Sequence, residues 1–156
     1  NAPEVSGRFE QRPLKKVRGI VINDCYNANP ESMKAALLAL ESIKTSAQKI
    51  AVLGDMLGLG VNSPFWHRQL GRFLRKVPSL KQVILVGNLV KWTEDWLPNG
   101  ISATRVATWQ EAVEVLEKQL GAESLVLVKG SLAVGLGNLV QEISVDKKIK
   151  KLQVSP

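Results

Sequence analysis

Residues 19–40 read GIVINDCYNANPESMKAALLAL, and the fold follows from how this stretch changes character. Ile20, Val21 and Ile22 form a continuous apolar run, as in a strand buried on both faces. The run ends abruptly in Asn23 and Asp24, whose side chains can accept hydrogen bonds from a ligand hydroxyl. Asn27 and Asn29 can do the same or tolerate a left-handed backbone. Pro30 sits where a first helical turn accepts proline, and Glu31 is favourable near the positive helix terminus. The alanine- and leucine-rich residues Met33–Leu40 then carry a helix. The unit is a strand, a long polar turn and a helix.

The alternation continues along the chain. Strands are expected at Gly19–Asn23, Ile50–Gly54, Gln82–Gly87, Ala103–Ala107 and Ser124–Lys129. Helices are expected at Ser32–Lys44, Pro64–Lys76, Leu89–Trp96, Trp109–Leu120 and Leu136–Ile143. Arg8–Leu14 and Lys16–Asn23 flank a tight polar junction and suggest an N-terminal antiparallel hairpin. The expected fold is α/β: a Rossmann-like three-layer sandwich, its sheet mostly parallel, with helices on both faces. Residues 1–8 read as a linker from an upstream domain, residues 9–145 as the domain, and residues 146–156, with KKIKK, as a solvated, frayed basic tail.

Composition narrows the function. At 156 residues and 45% hydrophobic, the chain can bury a proper core. No apolar run approaches the roughly 20 residues that span a bilayer, and no export pattern opens the chain. The single cysteine, Cys25, cannot form an internal disulfide and fits a reducing compartment, so a cytoplasmic location is expected. The net charge of +7 lies largely at the two ends, with no aromatic-studded RNA-binding strand. A monomer that meets neither nucleic acid nor membrane is expected, and a nucleotide phosphate would satisfy the same charge.

In open sheets of this kind, ligands bind beyond the carboxyl ends of the strands. Three turns there are unusual: NDCYNANPES, GDMLGLGVNS and KGSLAVGLG. Gly130–Gly135 has the frame of a P-loop, but Leu136 and Gly137 replace the lysine and hydroxyl residue that hold phosphate and magnesium. The dinucleotide fingerprint is also missing, since no glycine lies between Gly19 and Gly54. The single His and single Cys form no local nucleophile signature, and no residues have zinc spacing, so no metal ligands are expected.

The order Asp24-x-Tyr26-Asn27-Ala28-Asn29-Pro30-x-Ser32-Met33 resembles the opening of the C-terminal domain of the Mur ligases. Val52–Leu57 with Leu59-Gly60, followed by Ser63, His67 and Leu70-Gly71, is similar to that family's second signature, and Val128–Ser131 to its third. The upstream Gly7-Arg8 is similar to the family's step into this domain. The resemblance spans Pro3 to about Ile143 and points to the branch that adds D-alanyl-D-alanine. It implies one third of an enzyme, with the UDP-sugar domain and the central P-loop, magnesium and carbamylated-lysine domain lying upstream. The implied reaction is ATP-dependent amide formation between UDP-N-acetylmuramoyl-tripeptide and D-alanyl-D-alanine in peptidoglycan synthesis, with ATP and magnesium held mainly by the central domain.

The resemblance also implies roles. Asp24 would take the ribose hydroxyls of ATP, with Asn27 and Asn29 lining the nucleotide pocket and Arg8 approaching the phosphates as a catalytic cation. His67 would be the other catalytic residue, and Asp55, Lys129, Ser131 and Tyr26 would face the dipeptide. Two positions depart from the family pattern, Gly58 for glutamate and Leu132 for arginine, and leucine cannot pair with a carboxylate. Two alternatives therefore stand beside the ligase: a non-catalytic scaffold that keeps the fold, and a sister ligase with another amino acceptor.

Overall fold

Period-two alternation sends successive strand side chains to opposite faces of a sheet. Ile20, Ile22, Leu53, Leu85, Leu125 and Leu127 enter one core, whereas Val21, Val52, Ile84, Val86, Val126 and Val128 enter a second. The structure, a computed structural model, describes residues 7–156. Its elements in chain order are β1 (Glu10–Pro13), β2 (Arg18–Asn23), α1 (Pro30–Ser42), β3 (Gln48–Gly54), α2 (Ser63–Phe73), β4 (Gln82–Val86), α3 (Val90–Asp95), β5 (Ser102–Val106), α4 (Trp109–Gln119), β6 (Glu123–Lys129) and α5 (Leu136–Ile143).

The six strands form one sheet in the order β1-β2-β6-β3-β4-β5, parallel except for β1. The chain steps from β2 through β5 in one direction and then returns to insert β6 between β2 and β3. Helices α1, α2 and α3 pack on the first core and α4 and α5 on the second, giving the expected three layers. Gly19 permits the β2–β6 pairing: its φ is +126°, and a Cβ there would lie 1.8 Å from the Ser124 carbonyl oxygen.

The hairpin is present, with Glu10 opposite Asn23 and Pro13 opposite Ile20. Helix α1 starts at Pro30, two residues before the expected start, because Asn29 caps it and proline fits its first position. A 3₁₀ turn at Leu74–Lys76 ends what the sequence pattern presents as one longer helix. Most of the expected linker, residues 1–6, lies outside the described residues. Gly7 is held to the domain, its carbonyl accepting from the Tyr26 amide at 2.9 Å.

The tail is not frayed. Val145 N–H donates to Pro13 O and Ile149 N–H to Gln11 O, both at 2.9 Å, so this segment runs along the outer edge of β1. Ile149, Leu152 and Val154 then pack against the first core, and Ser155 bonds to Ser46, Thr45 and Glu123. Only the lysines behave as expected of a basic tail, lying exposed between these apolar anchors. Charge dominates the composition of this segment, but three spaced apolar side chains are enough to dock it. Among the described residues no helix is long and apolar enough to cross a membrane.

Candidate functional site

The helix after β2 leaves to one face of the sheet and the helix after β6 to the other. Such a divergence opens a crevice at the carboxyl ends of adjacent strands. Asp24 and Lys129 sit at the two strand ends that flank it. Lys129, only 3% exposed, places its Nζ 2.9 Å from Asp24 Oδ2, 2.9 Å from Asn27 O and 3.3 Å from Asp24 O. One ammonium therefore satisfies three acceptors of the NDCYNAN turn and fixes its shape. Asp24 Oδ1 accepts the Phe9 amide at 3.0 Å, and the Asp24 side chain keeps partial exposure toward solvent.

Around this pair lies a groove of about 470 Å³. Ala35, Ala36 and Ala39 of α1 form one wall, and Arg8, Phe9, Tyr26, Asn27, Ser32 and Lys129 complete it. The three alanines leave room beside the helix where larger side chains would close it. The Arg8 guanidinium stacks 4.4 Å from the centre of the Tyr26 ring, a cation–π contact at the rim. Phe9 holds φ at +48°, a left-handed conformation unusual for an aromatic residue. Its amide is tied to Asp24 and its ring packs against the first core, so both ends of the residue maintain this strain.

Arg8, Asp24 and Asn27, expected at the nucleotide, do share this groove, and Tyr26 and Lys129 join them. Those two residues were expected at the dipeptide. Lys129 belongs with Asp24 because β6 residues of odd number face α1, and Tyr26 belongs with Arg8 through the stacking contact. Asn29 does not line the groove; its Oδ1 accepts the Ser32 amide at 2.8 Å, and Ser32 Oγ accepts the Asn29 amide, a capping box for α1.

The expected second group gathers elsewhere, and its side chains are committed to the fold. His67 is 0% exposed: its Nδ1–H donates to Ser63 O at 2.7 Å and its Nε2 accepts the Met56 amide at 3.1 Å. Burial pushes its pKa down, more than the Ser63 carbonyl and the Asp55 charge push it up, which favours neutral imidazole. His67, expected as a catalytic residue, thus has no solvent access and has both ring nitrogens hydrogen-bonded within the fold. Asp55 accepts three amides, from Asn88, Leu89 and Val90 at 2.9–3.0 Å, and so anchors the start of α3. Ser131 Oγ accepts the Leu57 amide at 2.8 Å, tying the second and third turns together. Asp55 and Ser131, both expected at the dipeptide, are buried.

Cys25 is buried and donates to Val128 O; burial, with the Asp24 charge adding to it, pushes its thiol pKa up to about 12, so it is no nucleophile. Leu132, in place of the family's arginine, is 65% exposed beside these turns. Gly58 lies in open space with φ +78°. Among the described residues no group of three or more His, Cys, Asp or Glu could hold a metal ion. Sequence reading missed Phe9 and the alanine wall. The spacing of Ala35, Ala36 and Ala39 was a usable signal, since Ala39 lies three and four positions after the other two and residues at that spacing share a helix face.

Comparison with known proteins shows the family. A family model described as Mur ligase, glutamate ligase domain, matches residues 7–132. The UDP-N-acetylmuramoyl-tripeptide–D-alanyl-D-alanine ligase of Rickettsia prowazekii is 36% identical over 146 residues, covering 88% of this chain and 32% of the relative. The Bacillus subtilis protein of the same name is 30% identical over 126 residues, covering 79% and 27%. The MurF ligase of Thermotoga maritima, solved in complex with ADP, superposes with a TM-score of 0.72 and 26% identity over 90% of this chain and 31% of that one. MurF of Acinetobacter baumannii gives 0.76 and 29%, over 91% and 30%. The chain thus spans about a third of the length of these relatives. With the family model covering the sheet from the Gly7–Arg8 step to the turn after β6, this chain belongs to the Mur ligase family, to whose glutamate ligase domain it corresponds.

Proposed function

We propose that this chain is the C-terminal domain of an ATP-dependent ligase that joins D-alanyl-D-alanine to UDP-N-acetylmuramoyl-tripeptide in the cytoplasm, working as a monomer. The observation that carries this reading is the Asp24 carboxylate. It stands at the carboxyl end of β2, is oriented by Phe9 N–H and Lys129, and opens onto a groove with an apolar wall. Each carboxylate oxygen keeps a lone pair for a ribose hydroxyl. Asn27 and Tyr26 flank the sugar, the alanine wall takes apolar ring surface, and Arg8 at the rim donates to phosphate oxygens.

In the reaction, the tripeptide carboxylate attacks the γ-phosphorus of ATP and releases ADP. The dipeptide amine then attacks the carbonyl carbon of the acyl phosphate, losing a proton as phosphate leaves. The acyl phosphate hydrolyses readily, and a domain that closes over the site excludes water from it. Magnesium, when bound, neutralises phosphate charge. The carboxylates near this site do not fit it, because Lys129 neutralises Asp24 and three amides engage Asp55. Magnesium is therefore assigned to the part of the ligase outside this chain. Arg8 supports the developing phosphate charge at the transition state.

The test uses the full-length ligase: ATP consumption with UDP-N-acetylmuramoyl-tripeptide, across D-alanyl-D-alanine and single amino acids. Turnover is expected with the dipeptide, and Asp24→Ala should raise the KM for ATP about tenfold, equivalent to about 1.4 kcal/mol. Turnover with a single amino acid instead would make the protein a sister ligase. No turnover with any acceptor from folded protein would favour a scaffold role, in line with the exposed Leu132 where the family pattern has arginine.

A further inference from the structure

The docked tail has a consequence for the charge around the groove. Because Ile149 turns inward onto the first core, its neighbours Lys148 and Lys150 are left on the outside of the segment. They line a hollow of about 430 Å³ together with Arg8, Phe9, Glu10 and Gln11. Arg8 and Phe9 also line the Asp24 groove, so the two cavities share a wall.

The charges in this hollow do not cancel. Its one carboxylate, Glu10, is 8% exposed, with Arg12 Nε 2.6 Å from one oxygen and Lys148 Nζ 3.4 Å from the other. Burial raises the Glu10 pKa, but the Arg12 hydrogen bond and the charges of Arg12 and Lys148 outweigh it and keep the group ionised. Arg12, which also lies 3.4 Å from Asp146 Oδ1, shares that charge with Lys148, so the uncompensated cations of the hollow are Arg8 and Lys150. Among the described residues, neither Arg8 nor Lys150 has a carboxylate within ion-pair distance. Three cations on two stretches of chain thus converge beside the proposed ribose site, two of them held there by the backbone pairing of the tail with β1.

We infer that Lys148 and Lys150, together with Arg8, hold the phosphate end of the nucleotide whose ribose reaches Asp24. This inference rests on the nucleotide reading of the groove given above. It makes the tail part of the substrate site, with Lys150 as a point charge for a polyphosphate and Lys148 shared between that anion and Glu10. The pyrophosphate of the UDP-linked substrate has the same chemistry, so the assay must separate the two.

The experiment measures steady-state kinetics of the full-length ligase for three proteins: wild type, Lys148→Ala/Lys150→Ala, and the control Lys147→Ala/Lys151→Ala, whose lysines lie outside the hollow. The first pair should raise the KM for ATP about three- to tenfold at low ionic strength, and the difference should shrink as salt screens it. The KM values for dipeptide and UDP-substrate should hold, and the control pair should match wild type. Because Lys148 also balances Glu10, Lys150→Ala alone is measured too, and about half of the logarithmic effect is expected from it. An unchanged KM for ATP, an equal rise with the control pair, or a rise confined to the UDP-substrate would each overturn the inference. A wild-type enzyme that uses no ATP would instead sink the nucleotide reading, and the inference with it.

Discussion

Lys129→Met tests whether one side chain shapes the NDCYNAN turn. Methionine fills similar space while removing the ammonium that Asp24 Oδ2, Asp24 O and Asn27 O share at 2.9, 3.3 and 2.9 Å. Breaking a buried ion pair by deleting one partner costs roughly 3–5 kcal/mol. Asp24 keeps the Phe9 amide and can rehydrate from the groove, which points to the lower end, about 3 kcal/mol. For a domain of this size that corresponds to a melting temperature lower by about 6–12 °C. Thermal and urea unfolding of the chain, followed by the fluorescence of its four tryptophans, gives the number. The sharper check is a double-mutant cycle. Asp24→Asn alone strands a buried ammonium, so Asp24→Asn/Lys129→Met should cost at least about 1 kcal/mol less than the sum of the single changes. A cost below about 1 kcal/mol for Lys129→Met, or strict additivity, would refute the pinning role.

Two further predictions concern the cluster around His67 and Asp55. His67 has a folded pKa below that of the unfolded chain, so the unfolded state binds more protons once pH falls below about 6.5, and stability is lost in that direction. The slope between pH 7.5 and 5.5 should reach at most about 1.4 kcal/mol per pH unit and flatten in His67→Gln; an unchanged slope would show that another group titrates there. Glu10, whose folded pKa is lowered, adds its own loss only below about pH 4.5. Gly87→Ala would bring a Cβ within 2.4 Å of the Asp55 carboxylate at a φ of +124°. It should cost about 3 kcal/mol or more in a urea titration, by dislodging the anchor of α3; a change under about 1 kcal/mol would mean that Asp55 is dispensable there.

The layers were legible because continuous apolar runs such as VILV admit few arrangements other than central parallel strands, and α5 matches its expected bounds at Leu136–Ile143. The location of the groove after β2 was legible for a related reason: Asp24 interrupts burial where the fold opens. Sequence could not assign individual side chains. Asp55, His67 and Ser131 carry functional groups that serve equally well as helix anchor, backbone acceptor and turn clasp, and only their partners decide between these uses. The contact of Lys129 with Asp24 was not legible because a strand register settles which face a residue takes, and register is a long-range property. The tail misled for the opposite reason, since four lysines masked three apolar anchors.

The insertion of β6 between β2 and β3 also bears on how this domain is made. Until Lys129 has left the ribosome, β2 and β3 each present an unpaired edge, and neither core has its central wall. At about 5–20 residues per second, the interval from completing β3 to completing β6 is roughly 4–15 s. For that time the hairpin, α1 and β3 can form only provisional contacts, and their apolar faces are open to chaperones or to other nascent chains. A truncation anywhere before residue 129 would therefore be expected to yield aggregating material rather than a smaller folded piece. The last strand made is the one that lets all the others commit.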